Sequence, residues 1–344
     1  MYIYIWDKSK PILDGIIYIL YRTMFQTLLL ICFLTNAFAF STFSTFSPKT
    51  CNILSFSGAG SFGAVEVGIL DNLSPSLPSF DMLTGVSAGG LNVGFLSYYS
   101  VDKNDPTFSD YFKQGIDDLK NVYFGLTNDT VFTRNTGQIA RTWSYYDTAP
   151  LRKTIQSKLA TLSYNGKTPI PALIGSTNLN AGTFQIFQFE KESKLRQNQI
   201  MMATSAIPLA FPPEVIQGTY YVDGGAVANE IINGVESFLN AKGCDQYNFT
   251  FITASEGLAP VKTIDNLNDY VRRVANVVLS DFNNELAEIT NVPCANASKA
   301  KGAIQICHPV GDYLSEYSSM DFSFGKELYE IGYNHFTCDS YPYC

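Results

Sequence analysis

Histidine is nearly missing from this 344-residue chain, which carries only His308 and His335. A metal centre built on several imidazoles is thereby excluded, and a nucleophile in need of a base has few imidazoles to choose from. Charge is scarce as well: 16% of residues, with 23 Lys and Arg against 31 Asp and Glu, for a net −8. Phosphate binding needs clustered Lys and Arg, so no nucleic-acid partner is expected. Nor is there a polybasic patch for anionic lipid. No D-x-D-x-D run offers a calcium loop, and no two cysteines have the close spacing of a zinc knuckle. No metal and no cofactor are called for. Repeats, low-complexity tracts and charged linkers are missing from residues 50–344, which read as one domain. With 46% hydrophobic and 14% aromatic residues, the chain is too apolar for disorder and too poor in charge for a coiled coil.

The N-terminal segment reads as a leader, not as part of the fold. Leu28 to Leu34 has the length of a signal-peptide apolar core, Arg22 is its positive flank, and Ala37-Phe38-Ala39 puts small residues where a signal peptidase reads. Residues 1–39 are expected to be removed, with Met24 as an alternative start and 24–39 as the signal proper. The competing reading is a signal anchor that tethers the protein, helped by Ile16 to Leu20. Against it, Arg22 and Gln26 interrupt the roughly 20 apolar residues that a spanning helix wants. The remaining 40–344 would keep six cysteines, Cys51, Cys244, Cys294, Cys307, Cys338 and Cys344, enough for up to three disulfides in unknown pairing. Sequons at Asn72, Asn128, Asn248 and Asn296 are candidate glycosylation sites. Export to the outside or to an endomembrane or lysosomal lumen is expected.

Short apolar runs alternate with helical patterns. Strands are expected at Asn52–Phe56, Phe80–Val86, Tyr220–Val222 and Phe249–Thr253, and a hairpin at Ala172–Thr177 and Thr183–Phe187 across Asn180-Ala181-Gly182. Helical spacing marks Ala64 to Leu73, Leu91 to Leu96, and a long amphipathic stretch from Leu267 to Ile289. This order gives an α/β sandwich with a mostly parallel sheet. Residues 101–148 are polar, aromatic and weakly periodic, and read as surface helices in preference to a lid.

Three short motifs sit at strand ends. Gly85-Val86-Ser87-Ala88-Gly89 is G-x-S-x-G between a strand and a helix, where it holds a serine hydroxyl out of the sheet at a helix N-terminus. An idle serine in a tight turn is the plainer alternative. Gly58-Ala59-Gly60-Ser61-Phe62-Gly63 is G-x-G-x-x-G, the form of a dinucleotide loop. That use asks for an acid about 20 residues on, at the end of the next strand, and the next strand ends at Ser87 instead. The loop can equally present bare amides to an oxyanion. Asp223-Gly224-Gly225 closes a third strand, and with histidine so scarce Asp223 is the candidate base for Ser87.

These motifs, in this order, resemble the patatin-like phospholipase family. The likeness covers roughly residues 50–260, and the chain continues to 344 in further helices and a strand. Two other stretches before Asp223, Thr177 to Gly182 and Ala203 to Pro213, resemble the family, as does Tyr146-Asp147-Thr148-Ala149-Pro150-Leu151. The resemblance implies a three-layer α/β/α fold and a Ser–Asp dyad that hydrolyses acyl esters of lipids. By position, Ser87 is the nucleophile and Asp223 the general base. Gly58, Ala59, Gly60 and Ala88 form the oxyanion site, and Gly63, Gly85, Gly89, Gly224 and Gly225 are the motif glycines. The family pattern G-G-G-x-R/K-G is broken by Ala59 and Phe62. Alanine suits the turn only with a negative φ.

The expected function is a lipid acyl hydrolase of phospholipase A or lysophospholipase type, meeting its phospholipid or other acyl-lipid substrate in transient contact with a membrane surface. A storage or defence glycoprotein with a disabled site is the alternative outside enzymes. A Ser–His–Asp triad through His308 is the alternative within them. The position of the acyl group attacked, the head group and the oligomeric state are not readable.

Overall fold

The computed structural model describes residues 48–343, apart from 103, 137–141, 230, 232–234, 255–269, 272 and 274–301. The expected leader, most of the helix expected at 267–289, Cys294, Cys344 and Asn296 therefore lie outside the described residues; of that helix Tyr270, Val271 and Arg273 are described, and they are helical. From Lys49 onward the chain belongs to one compact unit.

The first half runs β1 (Thr50–Phe56), α1 (Gly63–Leu73), β2 (Met82–Val86), α2 (Ser87–Leu96), α3 (Phe108–Phe124), α4 (Asn128–Val131), β3 (Thr133–Arg134), β4 (Tyr146–Asp147) and α5 (Ala149–Thr161). Then come β5 (Ala172–Asn178), β6 (Thr183–Gln188), α6 (Lys194–Thr204), β7 (Glu214–Ile216), β8 (Thr219–Asp223), α7 (Val235–Asn240), β9 (Gln246–Ile252), β10 (Gly302–Pro309), α8 (Gly325–Asn334) and β11 (Phe336–Tyr343). The strands expected from apolar runs are all present, and β5 and β6 form the expected hairpin, closing at Asn178 opposite Thr183.

One sheet carries nine strands in the order β11-β10-β9-β1-β2-β5-β8-β7, with β6 also on β5. From β10 to β5 the neighbours pair in parallel, and antiparallel strands finish both sides. Parallel strands are buried on both faces, so their side chains split between two cores. In β1, Leu54 and Phe56 enter the larger core while Cys51 and Ile53 enter the smaller one. Leu83, Ile174 and Ile252 follow the first pattern; Met82, Leu173, Phe249 and Ile304 follow the second. Helices α1, α2, α6 and α8 cover the first face, and α7 contributes Val235 and Phe238 to the second. This is the mostly parallel α/β sandwich that the alternation of elements predicts, in the three layers that the family resemblance implies.

Residues 101–148 do more than decorate the surface. In α3, Phe108, Phe112, Ile116, Leu119 and Tyr123 recur at spacings of three and four and are buried, which makes the helix amphipathic. It packs on α1, α2 and α8 and forms a wall of the cleft that holds Ser87, contrary to the plain surface reading.

Two disulfides are formed among the described residues. Cys51–Cys244 ties β1 to the turn before β9, and Cys307–Cys338 joins β10 to β11. Of the sequons, Asn72 is exposed. Asn128 is held by Asp321 and Phe322, and Asn248 donates to Asn52 across the sheet.

The register around β5 decides where the site lies. Residues 172–175 pair with β2, ending on Val86 opposite Gly175. The next residues, 176–178, pair with β8, starting on Asp223 opposite Ser176. Two strands running toward each other thus end side by side along one edge of β5, and their C-terminal residues, Ser87 after one and Asp223 on the other, must meet.

Candidate active site

Ser87 succeeds β2 without an intervening loop and opens α2. Its φ is +53, a left-handed conformation costly for a residue with a Cβ, while Val86 just before it is extended. The turn can be this tight because Gly89 lies against the β1 end: a Cβ there would stand 2.5 Å from the Ser57 carbonyl oxygen. The Ser87 N–H donates to Thr204 Oγ1 at 2.8 Å, and that hydroxyl donates to the Gly175 carbonyl at 2.5 Å. Strain at the serine is thus held by a side chain from the end of α6.

The Ser87 hydroxyl donates to Asp223 Oδ2 at 2.6 Å, within reach for proton transfer. The other carboxylate oxygen accepts the Gly225 N–H at 2.9 Å, and the Asp223 N–H donates to the Ala206 carbonyl at 2.9 Å. Both side chains are buried. Burial pushes the Asp223 carboxyl up to about 7, against the opposing pull of the hydrogen bonds from Ser87 and Gly225.

The glycine-rich loop sits beside this pair. Ala59 has φ −145, so the condition for alanine at this position is met. Gly60 has φ +57, which favours glycine there. Gly58 leaves the expected oxyanion set: its N–H is taken by Asn229, through Oδ1 at 3.1 Å and the carbonyl at 3.3 Å. Asn229 Nδ2 in turn donates to the Gly58 carbonyl at 3.1 Å, so a buried side-chain amide clamps the loop at its root. Among the described residues the amides of Ala59, Gly60 and Ala88 are left without a partner, and they flank Ser87 at the N-terminus of α2. Phe62, at the family's basic position, is buried in the larger core and offers no charge.

Behind the loop is a carboxyl that no sequence motif marks. Glu66 of α1 is fully buried, bonded to Ser57 Oγ at 3.1 Å and accepting from Asn92 Nδ2 at 3.0 Å. Asn92 accepts from Tyr123 Oη at 2.7 Å. Burial raises the Glu66 carboxyl well above its ordinary range. The network joins the loop root, the helix that carries Ser87, and α3.

From Ser87 an apolar cleft enclosing about 840 Å³, its mouth included, runs between α2, α3, α5 and α6. Gly60, Ser87 and Ala88 line one part, and Leu91, Phe95, Leu119 and Leu159 line its walls. Eight residues of α2 separate Ser87 from Phe95, a run of about 12 Å at the helical rise.

His308 takes no part. It sits on β10 beside the Cys307–Cys338 disulfide, with Nε2 3.3 Å from Asp339 Oδ2. Three strand steps separate β10 from β2, roughly 14 Å at the sheet spacing. His335 stacks on Tyr313. The triad alternative is therefore set aside. Of the site residues missed in the sequence, Thr204 lies inside a stretch that resembles the family, whereas Asn229 and Glu66 carry no spacing signal of their own.

A serine in a strand-to-helix elbow, a buried aspartate in contact with it and bare loop amides beside both stand together on a three-layer α/β/α sandwich, a two-residue Ser–Asp constellation with no histidine. Compared with known families, residues 54–238 match the patatin-like phospholipases, and the chain belongs to that family. A curated relative, the cGAMP-activated phospholipase of Vibrio cholerae serotype O1, is 28% identical over 197 residues, covering 52% of this chain and 54% of that protein. The chain thus spans about half the length of that relative. Among solved structures, VipD from Legionella pneumophila aligns with 85% of this chain and 68% of its own at a TM-score of 0.36 and 13% identity.

Proposed function

We propose that this protein is a lipid acyl hydrolase of phospholipase A or lysophospholipase type, working through a Ser87–Asp223 dyad. The observation that carries the reading is the 2.6 Å contact between two buried side chains at one end of an apolar cleft. Membership of a family of phospholipases and the name of the Vibrio relative support it.

Ser87 Oγ attacks the ester carbonyl carbon as its proton passes to Asp223 Oδ2. The carbonyl oxygen becomes an oxyanion and is met by the amides of Ala59, Gly60 and Ala88 and by the positive end of α2. Collapse breaks the bond to the alcohol, which leaves with the proton held on Asp223. Water then attacks the acyl-serine, giving its proton to Asp223. Collapse of that second intermediate frees the fatty acid, and the proton returns to Ser87 Oγ.

The same reading places the molecule in the secretory pathway as a single domain after an N-terminal leader, at a lipid surface; the two disulfides among the described residues support the oxidising compartment. The test is hydrolysis of a phospholipid panel by the full chain, with products assigned by acyl position. Ser87→Ala and Asp223→Asn should each lower turnover by three orders of magnitude or so and leave the fold intact. A fluorophosphonate probe should label wild type and not Ser87→Ala. Near-normal turnover in either variant, or an unlabelled wild-type serine, refutes the assignment.

A further inference from the structure

Five non-glycine residues among those described have a left-handed backbone: Ser87, Trp143, Asn165, Leu209 and Gln217. Ser87 is the elbow. Asn165 and Gln217 each precede a glycine of positive φ, and Gln217-Gly218 forms the two-residue loop of the β7–β8 hairpin, where such angles are usual. Trp143 (φ +56) precedes no such glycine, nor does Leu209 (φ +67), which sits in a turn closed by the Phe211 N–H on the Ile207 carbonyl at 2.8 Å. Large apolar residues pay dearly for this conformation, and held strain of this kind gathers where a side chain must be aimed.

Both are aimed at solvent. Trp143 is 58% exposed and Leu209 49%. They also belong together. The Trp143 ring lies 5.6 Å from that of Tyr220, itself 37% exposed. Tyr145, two residues after Trp143, donates its N–H to the Leu209 carbonyl at 2.8 Å. Val215, paired with Tyr220 across the hairpin, is exposed too. An apolar patch built at this conformational cost is not surface noise.

Its place next to the cleft says what should cover it. Leu209 lies in a short segment whose members Ile207 and Phe211 are buried and line the apolar cleft that holds Ser87. The segment therefore turns Ile207, Ala210 and Phe211 inward and Leu209 outward. Tyr220 lies three residues before Asp223 on β8. Along the chain, the patch thus adjoins residues that line the site where an acyl chain would lie. Tryptophan and tyrosine are the side chains that settle at a membrane–water boundary, with the ring in the acyl layer and the polar atom at the head groups. Arg134 lies over the Tyr145 ring beside the patch, but a chain charge of −8 argues against attraction to anionic lipid as the driving force.

We infer that Trp143, Leu209 and Tyr220 form the wedge by which this protein enters a zwitterionic lipid surface. The inference deepens the proposed lipid hydrolase by naming the surface through which it meets its substrate. The segment that carries Leu209 then lies between the bilayer and the cleft, so an acyl chain can pass inward along it.

The chain has two tryptophans, Trp6 and Trp143. In the full chain carrying Trp6→Phe and Ser87→Ala, Trp143 is the one indole and lipid is not consumed. Unilamellar vesicles of phosphatidylcholine should shift its emission to shorter wavelength, and acyl-brominated phosphatidylcholine should quench it, with little dependence on salt. Leu209→Ser and Tyr220→Ser should each weaken partitioning about tenfold or more. Leu209→Gly suits the left-handed backbone, so it should keep or raise thermal stability while losing partitioning to the same extent. A structural leucine would show the reverse. Emission unmoved by vesicles overturns the inference. So does a shift that tracks protein concentration instead, which would assign the patch to a second copy, or a Trp143 already at short wavelength in the free protein. Because binding is read in an inert variant, these outcomes are separate from the proposed hydrolysis, which a soluble short-chain ester and the Ser87-intact chain test alone.

Discussion

Removing the charge of Asp223 should strengthen the fold, and the gain should grow with pH. The carboxyl titrates near 7 in the folded protein, against an ordinary value of 3.8. A raised value means that the folded state binds the proton more tightly than the unfolded chain does. Below pH 4 both states are protonated and the residue costs nothing. Between pH 4 and 7 the unfolded chain ionises while the folded site resists. The folded state then loses about 1.4 kcal/mol of stability per pH unit, reaching about 4 kcal/mol above pH 7. Asparagine matches aspartate in shape, can still accept from the Gly225 N–H, and leaves no charge to desolvate. Asp223→Asn and wild type should therefore melt together near pH 4 and draw apart as pH rises. At pH 8 the variant should lead by about 8 °C or more, at ~2 °C or more per kcal/mol for a domain of this size. Calorimetry across pH 4 to 8 reads the gap directly. A gap that stays flat with pH, or a variant less stable than wild type at pH 8, would show that Asp223 is not held in the charge-disfavouring environment on which the dyad chemistry depends.

The same shift governs activity: kcat/KM should climb through about pH 7 as Asp223 ionises and level off above it, and a plateau already reached at pH 5 would contradict a base in this environment. Glu66→Gln, which keeps a bonding partner for Ser57 and Asn92, should retain hydrolysis and gain stability as pH rises, because the raised glutamate also resists ionisation in the fold. Glu66→Ala strands both partners and should cost about 2 kcal/mol or more together with much of the turnover, checked by melting and ester hydrolysis. Along α2, the run of about 12 Å from Ser87 to Phe95 holds about ten carbons at ~1.25 Å each, so turnover of an ester series should rise to that length and flatten. Phe95→Ala should move the break to longer chains, and an unchanged profile would place the acyl group elsewhere.

Much of the fold was legible because its strands are buried on both faces and therefore appear as short continuous apolar runs, as at Asn52–Phe56 and Phe249–Thr253. Residues 101–148 were less legible. Their helix alternates buried Phe112 and Ile116 with exposed polar residues, and what those apolar positions face cannot be told from periodicity. Around the site, glycine was the informative residue: Gly60, Gly85 and Gly89 stand where the backbone is too tight for a Cβ, and although Ser319 and Ser57 crowd Gly60 and Gly89 from far along the chain, the spacing of the glycines in motifs made them legible. Asn229 was invisible, since its partner Gly58 lies 171 residues away. Gly58 was misassigned for the same reason, because whether an amide is free depends on what the distant chain brings to it.

By itself the chain determined the alternation of strand and helix, the elbow at Ser87 and the negative φ that Ala59 must adopt, all set by steric limits on neighbouring residues. Only tertiary structure decided that β2 and β8 end on adjacent residues of β5, that Asp223 is deep enough to titrate near 7, and that Leu209 and Trp143 are exposed together. Those facts depend on distance and solvation between segments far apart in sequence, and chain order carries neither.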